Sequence, residues 1–379
     1  MRALSRDGRR TALACAWIGF LVSAFSVNLI LTSEGANATT LVRMSPEEPM
    51  AAITQAVEGS NFRFVPRGHY DGVYYYAIAI DPLATGEAHK VIDLASHRYG
   101  HPGYGWLAWV ASAGQAQWVP EALLALSLLG MAVASYFASL LSVQLGGSPW
   151  GGLLVALNPG LIFAVTTDTS EAVTAALLGV ALYLWFGDRR GLAAGLIAFV
   201  CFFKFQMVLV PVGLGLWELI VYARERRTRD LLHAGVLLAI GPVLFLAWLG
   251  FLESRFGDTP LAGGPEFLSL PFAGWYDTLS RLANVAPMGD LSLQIASAEL
   301  PILVCVLAVV TAGIVLSLRP RHAIDSLFLF QGLFLLLLND WNLWFPKDLI
   351  RVLAIPIPLL VAVFYIRRRG VEAPESIPA

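Results

Sequence analysis

The sequence predicts an all-α protein that crosses a membrane about ten times. Of its 379 residues, 57% are hydrophobic and 14% are charged, and the mean hydropathy is +0.67. Soluble domains carry about 25% charged residues. A bilayer core about 30 Å thick requires roughly 20 mostly apolar residues per helix, and several segments meet or approach that length. We therefore expect one integral membrane domain over residues 1–379.

The apolar run at 11–32 is the first predicted transmembrane helix. It has 22 residues, whereas the apolar part of a signal peptide has about 7–15, so we expect this helix to remain uncleaved. The other predicted spans, chosen by the same criterion, are 119–143, 149–166, 171–187, 191–204, 206–223, 231–252, 299–318, 323–338 and 350–366.

The positions of the arginines predict the orientation. With ten spans, the arginine clusters at the N terminus, at 189–190, within 224–229, at 319–321 and at 367–369 fall on one side. Segments rich in arginine stay in the cytoplasm, so both termini are expected there, with the protein in the inner (plasma) membrane and its active site outside the cytoplasm. The remaining long segments are two outer loops and a cytoplasmic tail, at 33–118, 253–298 and 367–379 respectively.

The spans 191–204 and 206–223 form a predicted hairpin that is too short for two ordinary crossings. Lys204 and Gln206 lie at its tip, which is expected to be sunk among other helices or beside a water-filled recess. The Lys204 ammonium group needs an anionic partner there. That partner can be the Glu171 carboxylate or a lipid phosphate.

The stretch GHYDGVYYYAIAIDP at 68–82 places charges and three consecutive tyrosines in the first outer loop. Asp71 followed by Gly72 can cap a short helix that ends near Asp81. The residue types favour a β-strand almost as well, but tyrosines suit a membrane surface, and we expect an interfacial helix. The simplest interpretation is that Asp71 is only a cap and that the tyrosines form an interfacial belt.

Two segments of this loop, YDGVYYYAIAIDP and RYGHPGYGWLAWV, resemble the first extracytoplasmic loop of the GT-C superfamily of integral membrane glycosyltransferases. They are most similar to bacterial relatives of the GPI mannosyltransferases. TTDTSEAVTAALL and FFKFQMVLVP resemble two further outer turns of that family. The sequence has Gly103-Tyr104-Gly105 where the family usually has Tyr-Pro, and Phe205 and Gln206 where it has Thr or Glu.

The resemblance implies a GT-C-like fold and an inverting sugar transfer on the outer side of the membrane. The implied donor is a polyprenyl-phosphate-linked sugar, mannose or another hexose or pentose, and the implied acceptor is a glycan or a lipid. The loop aspartate acts as the base in this family, and Asp71 stands at that position. Asp81 is expected to matter less.

The residue types agree with this chemistry. A carboxylate within hydrogen-bond reach can take the proton of an acceptor hydroxyl, which is the role expected of Asp71. Cations must hold the departing lipid phosphate, and Lys204, Arg351 and Arg98 lie at predicted outer ends of spans. The residues expected to bind sugar or acceptor are His69, Tyr74, Tyr75, His101, Tyr104, Asp168 and Glu171.

The TDTSE turn at 167–171 has two interpretations. Asp168 and Glu171 are expected to border the pocket of Asp71, because carboxylates at a membrane boundary are costly unless solvated or paired. Alternatively, Thr169 or Ser170 caps the following helix, and Glu171 interacts with its dipole.

A metal site is the alternative use of the loop histidines. Asp93, His97 and His101 recur every four residues and would share one face of a helix, but Gly100 and Pro102 oppose such a helix. We expect no cofactor, and a divalent metal is not favoured. The sequence shows no basic face typical of nucleic-acid binding, so the expected partners are the lipid-linked sugar, its acceptor and membrane lipids.

Two other function classes stay open. A transporter or lipid flippase also uses broken helices with charged tips, although such proteins commonly contain internal repeats and this sequence shows none. A non-catalytic scaffold for envelope assembly would tolerate Asp71→Asn without effect.

Overall fold

The chain is almost entirely helical. The structure, a computed structural model, describes residues 5–33, 37–187, 189–261, 268–284, 290–344 and 346–369, with the backbone alone at 290–298. Within these ranges β-structure is limited to two isolated bridges, Met44 with His69 and Leu268 with Leu338. The predicted all-α class is confirmed.

The described α-helices are numbered α1 to α18 in chain order. The first ten are α1 Arg6–Ser33, α2 Met50–Glu58, α3 Gly72–Ile80, α4 Ala95–Arg98, α5 Gly103–Ala111, α6 Val119–Gln144, α7 Leu153–Ala156, α8 Pro159–Val165, α9 Glu171–Phe186 and α10 Arg190–Val200. The others are α11 Leu209–Glu225, α12 Thr228–Phe256, α13 Ala273–Ala283, α14 Asp290–Ser317, α15 Ala323–Leu336, α16 Asp340–Trp344, α17 Pro346–Leu353 and α18 Pro356–Arg369. Short 3-10 helices lie at Ala38–Val42, Gly59–Asn61, Ala88–Lys90, Ala116–Trp118, Pro149–Gly152 and Phe205–Val208.

Five helical segments of the described chain are long and apolar enough to cross a membrane. A sixth is the pair α17 and α18, if that pair counts as one span bent by 50°. The five are Arg6–Ser33, Ala116–Gln144, Phe205–Glu225, Thr228–Phe256 and Glu299–Ser317. The apolar helices α9, α10 and α15 are shorter than a full crossing. The chain therefore has the helices of a membrane protein, and the count of ten spans stays a prediction.

The segment predicted as one span at 149–166 is instead broken into a 3-10 turn and the short helices α7 and α8. Pro159 cannot donate a backbone hydrogen bond and therefore begins α8 rather than continuing α7. The side chain of Asn158 caps the new helix by accepting hydrogen bonds from the N–H groups of Gly160 and Leu161, at 3.0 and 3.2 Å. A hydropathy average does not detect such a break, because the 3-10 turn, α7 and α8 are all apolar.

The chain divides into two compact units, Met1–Val208 with Ala239–Ala262, and Leu209–Leu238 with Gly263–Ala379. In the first unit α6 packs against α1 and α9, and α3 packs against α5 and α6. In the second unit α15 packs against α11, α14 and α18. The part of the predicted tail beyond residue 369, and the stretches 262–267 and 285–289 of the predicted second outer loop, lie outside the described residues.

The segment predicted as the first outer loop, 33–118, is built from helices. It contains α2 to α5, so the helix predicted between Asp71 and Asp81 is confirmed as α3. The side chains of α3 are mostly apolar and aromatic, and all its residues except Ile80 are buried. Their burial against α5 and α6 turns the loop into a folded layer, which positions the residues discussed next.

Candidate active site

Helix α3 begins directly after Asp71 and lies against the TDTSE turn. A Cβ atom added at Gly72 would lie 2.8 Å from the carbonyl oxygens of Thr167 and Val42, so only glycine permits this approach. The hydroxyl groups of Tyr75 and Ser170 share a hydrogen bond of 3.0 Å. The turn therefore borders the first half of α3.

Asp71 does not cap α3, which corrects the simplest interpretation of the sequence. A capping side chain reaches the first N–H groups of a helix when its own backbone is extended. Asp71 has helical backbone angles instead (φ −58°, ψ −17°), and its side chain makes no capping hydrogen bond. Its Oδ1 lies 3.5 Å from Nη1 of Arg98, and the side chain is 29% exposed. Asp71 is thus an accessible carboxylate beside a cation.

Arg98 is the cation beside two acidic residues of the loop, Asp71 and Asp93. Its Nε lies 3.3 Å from Oδ1 of Asp93, and its guanidinium lies 3.7 Å from the centroid of the Tyr74 ring, a cation–π contact. Burial lowers the pKa of Arg98, the carboxylates of Asp71 and Asp93 raise it, and the net pKa is above the ordinary value. Arg98 therefore remains positively charged.

A chain of three side chains orients Tyr74. Oε1 of Glu48 lies 2.7 Å from Nδ1 of His69, and Nε2 of His69 lies 2.8 Å from the Tyr74 hydroxyl. With its proton on Nδ1, His69 donates to Glu48 and accepts from Tyr74. Burial is the largest cause that raises the pKa of Tyr74 above its ordinary value, so Tyr74 keeps its proton. His69, predicted to bind sugar or acceptor, thus positions a tyrosine here.

A small pocket opens beside this chain of side chains. Glu48, His69, Tyr74 and Asp93 line this pocket. Asp71 is not among the lining residues. The complete lining is Glu48, Pro49, Met50, His69, Val73, Tyr74, Val91, Ile92 and Asp93. Sequence reasoning gave no role to Glu48, because it lies 21 residues before its partner His69.

The three tyrosines of α3 are buried rather than spread along an open surface. Tyr74 and Tyr75 are each 5% exposed and Tyr76 is fully buried. The Tyr76 hydroxyl donates to Oε1 of Glu58 at 3.1 Å. An interfacial belt of all three rings is therefore wrong, because all three are buried and each hydroxyl has a partner within the protein. Of the three, Tyr74 lines the pocket.

Lys204 pairs with Glu171, the protein anion that the sequence offered as an alternative to a lipid phosphate. Nζ of Lys204 donates to Oε1 of Glu171. Glu171 is buried and begins α9, and the Lys204 side chain is 15% exposed. Arg351, another cation predicted to hold the lipid phosphate, belongs to α17 in the second unit, so phosphate binding by both Lys204 and Arg351 stays a prediction.

Asp168 is fully buried in the TDTSE turn. Its backbone is left-handed, with φ +47°, a conformation that aspartate adopts more readily than most residues. Both carboxyl oxygens lack a hydrogen-bond partner. Burial, with a smaller contribution from the Glu121 charge, raises the pKa of Asp168 well above its ordinary value, although Arg43 opposes this. Asp168 is therefore a buried acid whose environment favours the neutral form, rather than an open sugar ligand.

Gly103 and Gly105 let α5 pack closely in the loop. A Cβ at Gly105 would lie 2.6 Å from Cγ2 of Ile78 in α3. Tyr104 between them is fully buried, and its hydroxyl donates to the Leu123 carbonyl at 2.7 Å. Tyr104, predicted to bind sugar, here supports packing, and the departure from the Tyr-Pro pattern has a local reason.

His101 lies in an aromatic cluster. Its ring centroid is 5.3 Å from that of Phe205, 5.7 Å from that of His97 and 6.2 Å from that of Tyr75. Burial, followed by nearby positive charges, lowers the pKa of His101 well below its ordinary value. Phe205, which replaces the polar residue usual in the family, thus packs against two neutral histidines.

The single helix face predicted for Asp93, His97 and His101 does not form. The helix α4 ends at Arg98, and Asp93 pairs with that arginine. In the described ranges, these residues are not among the groups of three potential ligands that lie close together.

Asp81 organises the loop after α3. Its Oδ1 accepts hydrogen bonds of 2.8 Å from the N–H groups of Thr85 and Gly86, and its Oδ2 lies 2.8 Å from Nδ1 of His89. Burial raises the pKa of Asp81, but these donors lower it more, so the net pKa is below the ordinary value. A substitution at Asp81 therefore tests the folding of the loop rather than sugar transfer.

We expect the loop to lose stability as the pH falls from about 6.5 to about 4. His97 is buried, its Nδ1 lies 3.1 Å from the Pro260 carbonyl, and its ring stacks on Phe205. Burial lowers its pKa to about 4. Between these pH values His97 binds a proton in the unfolded chain but not in the folded loop. The contribution of neutral His97 to the free energy of unfolding is therefore present above about pH 6.5 and is lost as the pH falls toward 4. The loss is up to about 3 kcal/mol.

Hydrogen exchange at 95–101, corrected for intrinsic rates, measures this effect. Wild type should exchange faster at pH 5 than at pH 7.5. His97→Phe keeps an aromatic ring beside Phe205 and should reduce that difference. An unchanged pH dependence in this variant would contradict the role of His97.

Comparison with known proteins gives no family for the chain. No family model matches it, and no curated protein matches it significantly. The GT-C resemblance therefore rests on the quoted segments. The structure brings Asp71, Arg98, Tyr74 and His69 into one network, and it joins Lys204 to Glu171.

Proposed function

We propose that the protein is a membrane glycosyltransferase that moves a sugar from a polyprenyl-phosphate donor to an acceptor outside the cytoplasm. The observation that supports this most is the partly exposed Asp71 carboxylate, held beside Arg98 at the start of an aromatic helix. The proposal includes about ten spans, cytoplasmic termini and an inner-membrane location. The all-helical chain and its long apolar helices are compatible with it.

Asp71 acts as the general base in this proposal. Its carboxylate takes the proton of the acceptor hydroxyl while that oxygen forms a bond to the anomeric carbon. The bond from the anomeric carbon to the phosphate oxygen breaks, and the lipid phosphate leaves with the electron pair. Attack opposite the leaving group inverts the anomeric configuration. Arg98 keeps the carboxylate in position through their contact.

The departing phosphate needs a positive charge, which Arg98 and Lys204 are proposed to supply. Arg98 and Lys204 already have carboxylate neighbours. A phosphate must therefore share these cations or displace the carboxylates. Arg98 is suited to sharing, because a guanidinium presents five N–H donors.

A transfer assay with the purified full-length protein tests the proposal. Mass spectrometry should first identify a co-purified polyprenyl-phosphate lipid, with or without its sugar. The protein is then given radiolabelled polyprenyl-phosphate donors that carry mannose, another hexose or a pentose. Extracted envelope glycans and lipids serve as acceptors. We expect label to pass to one acceptor class. The absence of both bound carrier and transfer with every donor would overturn the proposal.

A lipid flippase is the second candidate, and the bend between α17 and α18 favours it. The two helices meet at 50° across a short break, and broken helices often line substrate paths in transporters. Proteoliposomes containing a fluorescent polyprenyl-phosphate sugar separate the two functions. A flippase exposes the lipid to an external quencher without acceptor, whereas the transferase requires an acceptor and changes the lipid chemically.

A further inference from the structure

The hairpin of α11 and α12 brings three metal-ligating side chains together within the second unit. Glu218 lies on α11, and Asp230 and His233 lie on α12. The turn between the helices is tight, with Arg226 in the left-handed region at φ +58°. The cluster therefore lies near the end of the hairpin where the two helices are joined.

A glycine sets the close approach of these two helices. A Cβ atom added at Gly215 would lie 2.7 Å from Cγ of Leu238. Gly215 lies one turn before Glu218 on α11, and Leu238 lies on α12 beyond His233. The contact fixes the helices on which the three potential ligands stand.

The geometry of the cluster suits one metal ion. One ligand atom of each residue lies within 4.8 Å of the corresponding atom of the other two, and Oε2 of Glu218 lies 3.7 Å from Nδ1 of His233. Ligand atoms around a tetrahedral Zn²⁺ lie about 3.3 Å apart, because each bond is about 2.0–2.1 Å long. A small contraction of the cluster is therefore enough for coordination.

Burial makes it costly to keep both carboxyl groups of the cluster charged. Glu218 and Asp230 are 2% and 3% exposed, and buried like charges repel one another. The Oδ2 atom of Asp230 is buried without a hydrogen-bond partner. His233 is more open, with its side chain 28% exposed, and gives an ion a way in from solvent.

The nearby arginines do not occupy that oxygen. Arg229 contacts Oδ1 of Asp230, with Nε at 3.7 Å. Arg227 lies 2.9 Å from Oε2 of Glu225, a residue outside the cluster. The second oxygen of Asp230, Oδ2, thus makes no hydrogen bond with either arginine.

We propose that Glu218, Asp230 and His233 bind one divalent transition-metal ion, Zn²⁺ or Mn²⁺. Imidazole nitrogen suits Zn²⁺, and carboxylate oxygens suit both ions. The three protein ligands leave at least one coordination position for water. The ion neutralises the paired carboxylates and ties α11 to α12. This role is independent of the proposed sugar transfer.

Titration of the tag-free full-length protein in detergent tests the site. The protein is stripped with a chelator, and binding of ZnCl₂ and of MnCl₂ is followed by calorimetry and by thermal unfolding. Wild type should bind one ion per chain and unfold at a higher temperature with the ion. Asp230→Asn and His233→Gln should each weaken binding at least about tenfold.

Glu225→Gln is the matched control, because Glu225 is an acid on α11, the helix of Glu218, and pairs with Arg227 outside the cluster. It should bind the ion like wild type. Glu218→Gln repeats the test on α11 in case the Asp230→Asn variant of α12 unfolds. The proposal is overturned if stripped wild type binds neither ion, or if folded Asp230→Asn and Glu218→Gln proteins bind as tightly as wild type. Two carboxyl groups that share a proton would then explain the cluster.

Discussion

Asp71→Asn is expected to lower sugar transfer by about 10²–10⁴-fold, the usual contribution of a general base, while the protein remains folded. The amide has nearly the same shape but cannot take the acceptor proton. Because Asp71 is 29% exposed and makes no capping hydrogen bond, the substitution removes little that α3 needs. The measurement is the rate of transfer at saturating donor, with thermal unfolding as the test of folding.

Asp93→Asn is the matched control. Asp93 lies beside the same cation, 3.3 Å from Nε of Arg98, and is 53% exposed. If the carboxylates serve only to neutralise Arg98, the two variants should lose similar activity. If Asp71 is the base, Asp93→Asn should retain most of it. Near-normal transfer by Asp71→Asn would rule out the mechanism.

Lys204→Ala is expected to destabilise the protein by about 3–5 kcal/mol, the usual cost of breaking a buried ion pair by removing one partner. Glu171 would be left as a buried charge without the Lys204 ammonium. Thermal unfolding of the detergent-solubilised protein measures the effect. Lys204→Met combined with Glu171→Leu should recover much of the stability, because an apolar pair of similar volume needs no counter-charge.

The same double variant separates stability from donor binding. If Lys204 also binds the lipid phosphate, the recovered protein should still bind polyprenyl-phosphate sugar more weakly than wild type. Glu171→Gln should then strengthen donor binding, because it leaves the ammonium to the phosphate. Unchanged donor affinity in both variants would assign Lys204 to the ion pair alone and contradict its predicted role in binding the lipid phosphate.

The part of the site that could be predicted is the part encoded by neighbouring residues. The apolar and aromatic run after Asp71 forms α3 as expected. The predicted capping role of Asp71 is wrong, because capping depends on the backbone angles of that one residue. The contact of Asp71 with Arg98 joins residues 27 positions apart, and no local pattern specifies such a pairing.

Burial also changed the roles of predicted binding residues. Asp168 and Tyr104 have the polar groups that bind sugars, but both are fully buried. No sequence motif reveals the pairing of Glu48 with His69 or the cluster at Glu218. Each group is formed by side chains from separate segments, which come close together only when those segments pack.

The sequence by itself determined that this is a helical membrane protein, because apolar content and segment length act through the solvent and need no knowledge of contacts. It also determined where α3 begins and that Lys204 needs an anion. Only the tertiary structure decided that Glu171 is that anion, that Pro159 divides a predicted span, and that Arg98 joins Asp71 to Asp93. The physical reason is that hydropathy sums over a segment, whereas ion pairs and helix breaks depend on individual atoms within a few ångströms of one another.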